Sequence, residues 1–305
     1  MPAGPDGMGA LTRDGAGARL LLDVQATLGE GPLWSERDSR LYFVDIRAAT
    51  LHALSLDSGA LDSWTLPTQI GWAIERAAGG LVVGLQDSIA LLQLDPWRLQ
   101  RLVDPHPHDP AMRLNDAKAG PGGQIFAGSM NDSDTDRSDG CLYRLDADGV
   151  LHTVDRGYRI CNGPAISLDQ RTLYHSDTAR RVIYAYPLAA DGTLGPRRVW
   201  KRFSKPEGFP DGMTVDAEGA LWVAHWGAGC ISRFADDGRL LRRVALPVSQ
   251  PTSLTFAGPR LDRLIVTSAR DGLSAEQLAR EPLAGGLFEL DNEGVRGMPA
   301  WQYGG

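Results

Sequence analysis

Gly31–Ser35 (GPLWS), Leu41–Ile46 (LYFVDI), Leu51–Leu56 (LHALSL) and Leu61–Leu66 (LDSWTL) follow one another with only short turns between them. The turns are Glu36-Arg37-Asp38-Ser39 and Asp57-Ser58-Gly59. Runs of about six residues with period-two alternation, bounded by Gly, Asp and Ser, have the signature of half-buried antiparallel strands. The stretch predicts one four-stranded sheet.

The same plan returns along the chain. Its starts fall at Glu30-Gly31, Ile70-Gly71, Asn115-Asp116, Asn162-Gly163, Asp211-Gly212 and Thr252-Ser253. The intervals are 40, 45, 47, 49 and 41 residues, with 54 left from Thr252 to the end. In the fifth unit Met213–Val215 leads into Leu221–Trp226, Ile231–Phe234 and Leu240–Leu246. Six repeats of this length predict an all-β six-bladed β-propeller of four-stranded antiparallel blades, rather than an irregular solenoid or stacked sandwiches. Arg19–Val24 (RLLLDV) precedes the first unit and has strand character. It is expected to join the blade containing Gly286–Leu290 and so fasten the ring. Residues 1–18, rich in Gly, Ala and Pro, read as a flexible segment, and residues 19–305 as a single propeller domain. The best helical candidate is Ser274–Arg280, with Ser274 as N-cap.

Composition narrows the function. Apolar residues make up 43% and charged residues 23%, enough for a sizeable core and a soluble surface. The net charge of −7, with no cluster of Lys and Arg, argues against a nucleic-acid surface. No run approaches the ~20 apolar residues of a membrane span, and Leu20–Leu22 is too short for a signal-peptide core. Cys141, Cys161 and Cys230 match neither a zinc-site nor a redox-pair spacing, and reduced thiols in a cytoplasmic protein are expected. Neither a phosphate-binding Gly-rich loop nor a Gly-x-Ser-x-Gly elbow is present.

In a propeller the first strand of each blade lines the central channel. Four of the six unit starts, Glu30, Asn115, Asn162 and Asp211, carry a carboxylate or amide oxygen. Asn and Asp before Gly are also ordinary turn formers, but four at one repeat phase point to a common site. Two carboxylates in a narrow channel repel unless a cation neutralises them, and hard oxygen ligands suit a divalent ion. Asp132, Asp134, Asp136 and Asp139 resemble a calcium loop superficially, yet Arg137 and Tyr143 stand where that loop needs Gly and Glu. They are expected to form a solvated loop over the channel mouth. His175 and His225 lie within strand runs and are expected to hydrogen-bond inside their blades. Trp34, Trp72 and Trp226 stand near the channel end of their units, where a ring could stack on a sugar; core packing is the expectation for all three.

Leu28–Pro32 (LGEGP), Arg113–Asp116 (RLND) with Ala127–Met130 (AGSM), Asn162-Gly163 and Pro210–Met213 (PDGM) occur in order. Asp216–Val223 (DAEGALWV), Ala269–Leu273 (ARDGL) and Gly285–Phe288 (GGLF) follow. Between Leu22 and Gly297 the chain resembles the gluconolactonase, regucalcin (senescence marker protein) and luciferin-regenerating enzyme family. The resemblance implies a six-bladed propeller with one divalent metal ion (Ca, Zn, Mn, Mg or Fe) that hydrolyses a sugar lactone to the aldonic acid. It implies Glu30, Asn162 and Asp211 as metal ligands, Asp211 also as general base, and Arg113 and Asn115 as substrate contacts. Some family members carry a substrate-binding glutamate after the segment matching Gly128–Met130; here Asn131, Asp132 and Ser133 follow, with Asp132 as the candidate contact. Gly120-Pro121 replaces a common Asp-Pro, a turn position, and Cys161 before Asn162 is expected to pack away from the channel. The partner implied is a small-molecule sugar lactone, with no nucleic acid or membrane, and a monomer or weak oligomer is expected. The alternatives are a non-catalytic calcium- or metal-binding propeller, and an esterase or organophosphate hydrolase using the same metal site.

Overall fold

A computed structural model describes residues 17–107 and 109–305. It contains six four-stranded antiparallel sheets, each running from an inner strand to an outer one. The inner strands are Gly29–Ser35, Ile70–Glu75, Met112–Ala119, Cys161–Ile166, Phe209–Val215 and Pro251–Ala257, one from each repeat. Strand ends in the first unit fall within two residues of those read from the alternation. Burial falls from the axis outward: Ile70–Glu75 is buried throughout, whereas the outer strand Leu61–Thr65 is largely exposed.

Five blades are consecutive in sequence. The sixth takes its outer strand, Ala18–Leu22, from the start of the described chain and pairs it with Leu287–Leu290. The ring therefore closes as Arg19–Val24 led us to expect, with Arg19 salt-bridged to Glu289 across the seam. Of the segment expected to be flexible, residues 1–16 lie outside the described residues, and Ala18 already belongs to the closing strand. The helix at Ala275–Arg280 is capped by Ser274, whose hydroxyl accepts from Gln277 N at 3.2 Å.

Apolar side chains fill the wedges between blades. Tyr42, Val44 and Leu51 of the first blade pack with Ile70, Val83 and Leu92 of the second. Trp222 and Ile231 of the fifth blade join Phe256, Leu264 and Phe288 of the sixth, and this cluster continues to Leu41 and Phe43 of the first. Trp34 belongs to that cluster and Trp72 to the next wedge, as expected for core packing. All three cysteines are free and buried. Cys161 lies in the wedge between the third and fourth blades, away from the channel. His175 departs from expectation: it is fully buried, packs edge-on against Tyr158, and neither ring nitrogen has a hydrogen-bond partner. His225 is half satisfied, through Nδ1 and the carbonyl of Glu207 at 2.8 Å.

Each inner strand has a break in register near its channel end. The shifts lie between Glu30 and Leu33, Ile70 and Trp72, Leu114 and Ala117, Asn162 and Ala165, Pro210 and Met213, and Pro251 and Leu254. These are β-bulges, which re-aim side chains and sharpen local twist. The Asn-, Asp- and Gly-containing starts of the repeats are thus not inter-strand turns. Gly212 shows why glycine serves at such a place: a Cβ there would collide with Ser253 Oγ of the next inner strand. The C-terminal segment returns beneath the ring at the far end of the channel. Tyr303 N donates to Glu75 O at 2.8 Å, and Gly304 N to Gly123 O at 2.9 Å.

Candidate metal and substrate site

The bulges deliver Glu30, Arg113, Asn115, Asn162 and Asp211 to one cavity of about 410 Å³ at the channel mouth. All five side chains are buried. Ile70 and Thr252, the two unit starts without the required oxygen pattern, do not line it. Ile70 is core, and the Thr252 hydroxyl donates to Gly29 O at 2.5 Å.

Glu30 and Asp211 are carboxyls without a cationic bonding partner. Burial, with Asp116 adding negative charge nearby, pushes Glu30 up to about 8. Burial raises Asp211 well above the usual carboxylate range, and Glu30 and Asp116 raise it further. Asn162 donates Nδ2 to Asp211 Oδ1, while Asn162 Oδ1 is buried with no hydrogen-bond partner. An orphaned amide oxygen beside two buried carboxyls is a polar arrangement that costs free energy until something positive fills it.

Among the described residues, no three His, Cys, Asp or Glu side chains form a metal-ligating cluster. The candidate ligand set is instead two carboxylates and one amide oxygen. Hard oxygen donors of this kind fit a divalent cation, and the unpaired Asn162 Oδ1 supplies the observation that favours one here.

The remaining expected contacts are held by a network. Arg113 donates Nε to Asp132 Oδ1 at 2.8 Å and Nη1 to Leu114 O and Asn115 Oδ1. Asn115 Nδ2 in turn donates to Cys161 O at 2.7 Å, tying the third blade to the fourth. Arg47 Nη1 meets the other Asp132 oxygen at 2.6 Å, and its Nε meets Asp271 at 3.0 Å. Burial alone would raise the Asp132 carboxyl, but Arg113 and Arg47 hold it below its usual value. Asp132 is therefore not among the residues that line the cavity. It stands behind Arg113 and Arg47 and fixes both guanidinium groups. The acidic loop does reach the mouth, through Thr135 and Asp136.

Several site residues were not apparent from the sequence. Asp116 follows Asn115 inside the bulge and is a third buried carboxyl, pushed up to about 7 chiefly by burial. It faces a second cavity, of about 340 Å³, at the other end of the channel, where Lys118, Trp72 and Trp301 also lie. Arg47, Arg159 and Asp271 come from connections between strands, outside any repeat phase. Trp226 packs against the apolar cluster of the first and second blades, as expected, and also lines the mouth of the site.

This fold and site define a propeller with a polar, oxygen-rich channel mouth. Residues 28–270 match the SMP-30/Gluconolactonase/LRE-like region, and the chain belongs to that family. It is similar to the 6-deoxy-6-sulfogluconolactonase of Pseudomonas putida, at 36% identity over 264 residues, 86% of this chain and 90% of that protein. The pentonolactonase of Haloferax volcanii is 36% identical over 284 residues, 89% of this chain and 93% of its own. Among solved structures, the regucalcin of Agrobacterium tumefaciens, described as a calcium-binding protein, superposes with a TM-score of 0.90 at 28% identity, covering 95% of this chain and 97% of that one.

Proposed function

We propose that this protein is a sugar lactonase that hydrolyses an aldonolactone to its acid with the help of one divalent cation. The observation that carries the reading is the trio Glu30, Asn162 and Asp211, two buried carboxyls and an unpaired amide oxygen, facing one cavity. Lactonase relatives at 36% identity over most of the chain support the reaction class, and a calcium-binding structural relative supports the cation.

When bound, a divalent cation supplies a Lewis acid for the lactone carbonyl and acidifies water nearby. Glu30, Asn162 and Asp211 would hold it. Asp211 also handles the proton. Its carboxylate takes the proton of the attacking water and returns it to the departing ring oxygen, so that ring opening leaves one carboxylic acid and one hydroxyl. Arg113, locked by Asp132, presents a fixed fork that orients substrate oxygens. Asn115, bonded at both ends of its amide, stiffens the wall between Arg113 and the fourth blade. We place the protein in the cytoplasm. Among the described residues no helix is long and apolar enough to cross a membrane.

The test is acid release from a panel of glucono-, galactono-, xylono- and arabinonolactones, with and without chelator. Turnover that chelation abolishes and divalent ions restore is expected. Cation binding with no turnover on any lactone would leave a non-catalytic metal-binding propeller. Aryl-ester or phosphotriester hydrolysis far above lactone hydrolysis would assign the site to an esterase. Asp211→Asn should keep the fold, read by circular dichroism, and lose about 10²–10⁴-fold in kcat, the usual contribution of a positioned acid–base group.

A further inference from the structure

Three arginines line the channel mouth, and they are not equivalent. Arg113 and Arg47 are each committed to carboxylates through well-formed bonds. Arg159, on the connection that leads into the fourth inner strand, is different. Its guanidinium makes one ion-pair contact, Nη1 to Asp136 Oδ1 at 3.3 Å, and Asp136 is 87% exposed. Its Nε is buried and has no hydrogen-bond partner. A pair with so exposed a carboxylate is worth little and exchanges readily, whereas a buried donor left unmade is costly. Arg159 thus presents an unspent fork to the cavity. Its side chain is 36% exposed, against 4% for Arg113, which puts it at the rim rather than on the floor where Glu30, Asn162 and Asp211 stand.

We infer that Arg159 is a specificity residue that selects lactones bearing an oxyanion on the carbon chain away from the lactone carbonyl: a carboxylate, sulfonate or phosphate. This rests on the lactonase reading of the same site. A guanidinium offers paired N–H donors that match the oxygens of all three groups, and Arg is suited to such bidentate recognition. A neutral sugar tail offers only hydroxyls, which engage the weakly paired guanidinium less well. Asp136 is the internal competitor, an exposed carboxylate of the acidic loop occupying the place the ligand oxyanion would take. Binding would exchange that contact for a better one.

The experiment compares kcat/KM for gluconolactone with that for the same lactone carrying a 6-carboxylate, a 6-sulfonate or a 6-phosphate. The three anionic arms show which oxyanion fits best. Wild type should favour at least one of them, and Arg159→Ala should lower the anionic-to-neutral ratio by about ten- to hundredfold, the worth of a charge-assisted hydrogen bond. The loss should appear mainly in KM, Arg159→Lys should restore part of it, and Asp136→Asn should raise the ratio. A second measurement is independent of turnover: calorimetric binding of the open-chain dicarboxylate and of its monocarboxylate counterpart to wild type and Arg159→Ala. Equal loss on neutral and anionic ligands, or no anionic preference in wild type, overturns the inference. Absence of turnover on every lactone, with Arg159-dependent binding of the dicarboxylate intact, instead counts against the lactonase reading.

Discussion

Glu30 offers the most direct handle on the site at the scale of single residues. Its carboxyl stands at about 8 in the folded chain against 4.5 when free. A raised folded-state value means a stabilising contribution that is full below 4.5 and is lost as pH rises through about 8. Protein stripped of cations should therefore melt at progressively lower temperature from about pH 6.5 to 8, and a divalent ion should restore more stability at the upper end of that window than at the lower. Glu30→Gln should flatten both trends; a chelated protein with a level melting profile would count against a buried, unneutralised pair. His175 acts in the opposite direction and in a different window. Burial holds it down at about 3, so its contribution is present above the free value of 6.5 and is lost as pH falls below it. Each such histidine adds a slope approaching about 1.4 kcal/mol per pH unit. Urea titrations between about pH 6.5 and 5 should show that slope reduced in His175→Leu, without loss of stability near neutral pH, because both ring nitrogens are already unpaired. Much of this scale was legible beforehand: four oxygen-bearing residues at one repeat phase meet at one cavity. Asp116 was not, because a bulge breaks the alternation by which facing residues are counted. Arg47, Arg159 and Asp271 were not, because connections carry no period that would place them.

For the elements, the strands of the first unit were written in the sequence to within two residues, since alternation between turn residues is a local signal, whereas the fifth inner strand, read from Met213, begins at Phe209, ahead of its bulge. What escaped was the bulge at the head of every inner strand. The sequence shows Asn-Gly, Asp-Gly and Glu-Gly pairs, and these are equally at home in turns. Only packing around an axis decides that they interrupt a strand instead. The bulge also explains why Glu30 and Asn162 lie one place earlier than Asn115 and Asp211 relative to the point where register resumes. Gly163 tests its role. Its φ of +75° is open to glycine, and a Cβ would collide with the Met213 methyl. Gly163→Ala should cost about 1–3 kcal/mol as strain and, by displacing Asn162, weaken divalent-cation binding measured by calorimetry. Unchanged affinity with the expected destabilisation would separate Asn162 from the cation.

At the scale of the molecule, the ring is fastened where its first described strand lies beside its last, on top of the packing of the first blade against the sixth. Arg19 reaches Glu289 across this seam, while Arg263 holds the same carboxylate from the neighbouring strand within the blade, and Ala18, Leu20 and Leu22 join the apolar wedge that continues into the first and fifth blades. Removing residues 17–24 should lower the melting temperature and leave Leu287–Leu290 as an unpaired edge, which invites association between chains. Light scattering of the shortened chain should then show oligomers where the parent does not. The propeller class was legible at this scale from repeat length and count. The path of the C-terminal segment beneath the ring was not, since a single buried Tyr303 side chain and backbone bonds from Tyr303 and Gly304 fix it, and neither has a period to announce it.

The seam also sets a timetable. Arg19 and Glu289 are 270 positions apart. At roughly 5–20 residues per second of ribosomal synthesis, about 15–50 s pass between the emergence of one partner and the other. Through that interval the leucines of Ala18–Leu22 have no sheet to join, and the newborn blades are an open arc with two free flanks. The step most exposed to misassociation in a cell is thus the wait for the final blade, and slowing translation near the end of the message should lower the soluble yield more than slowing it near the start.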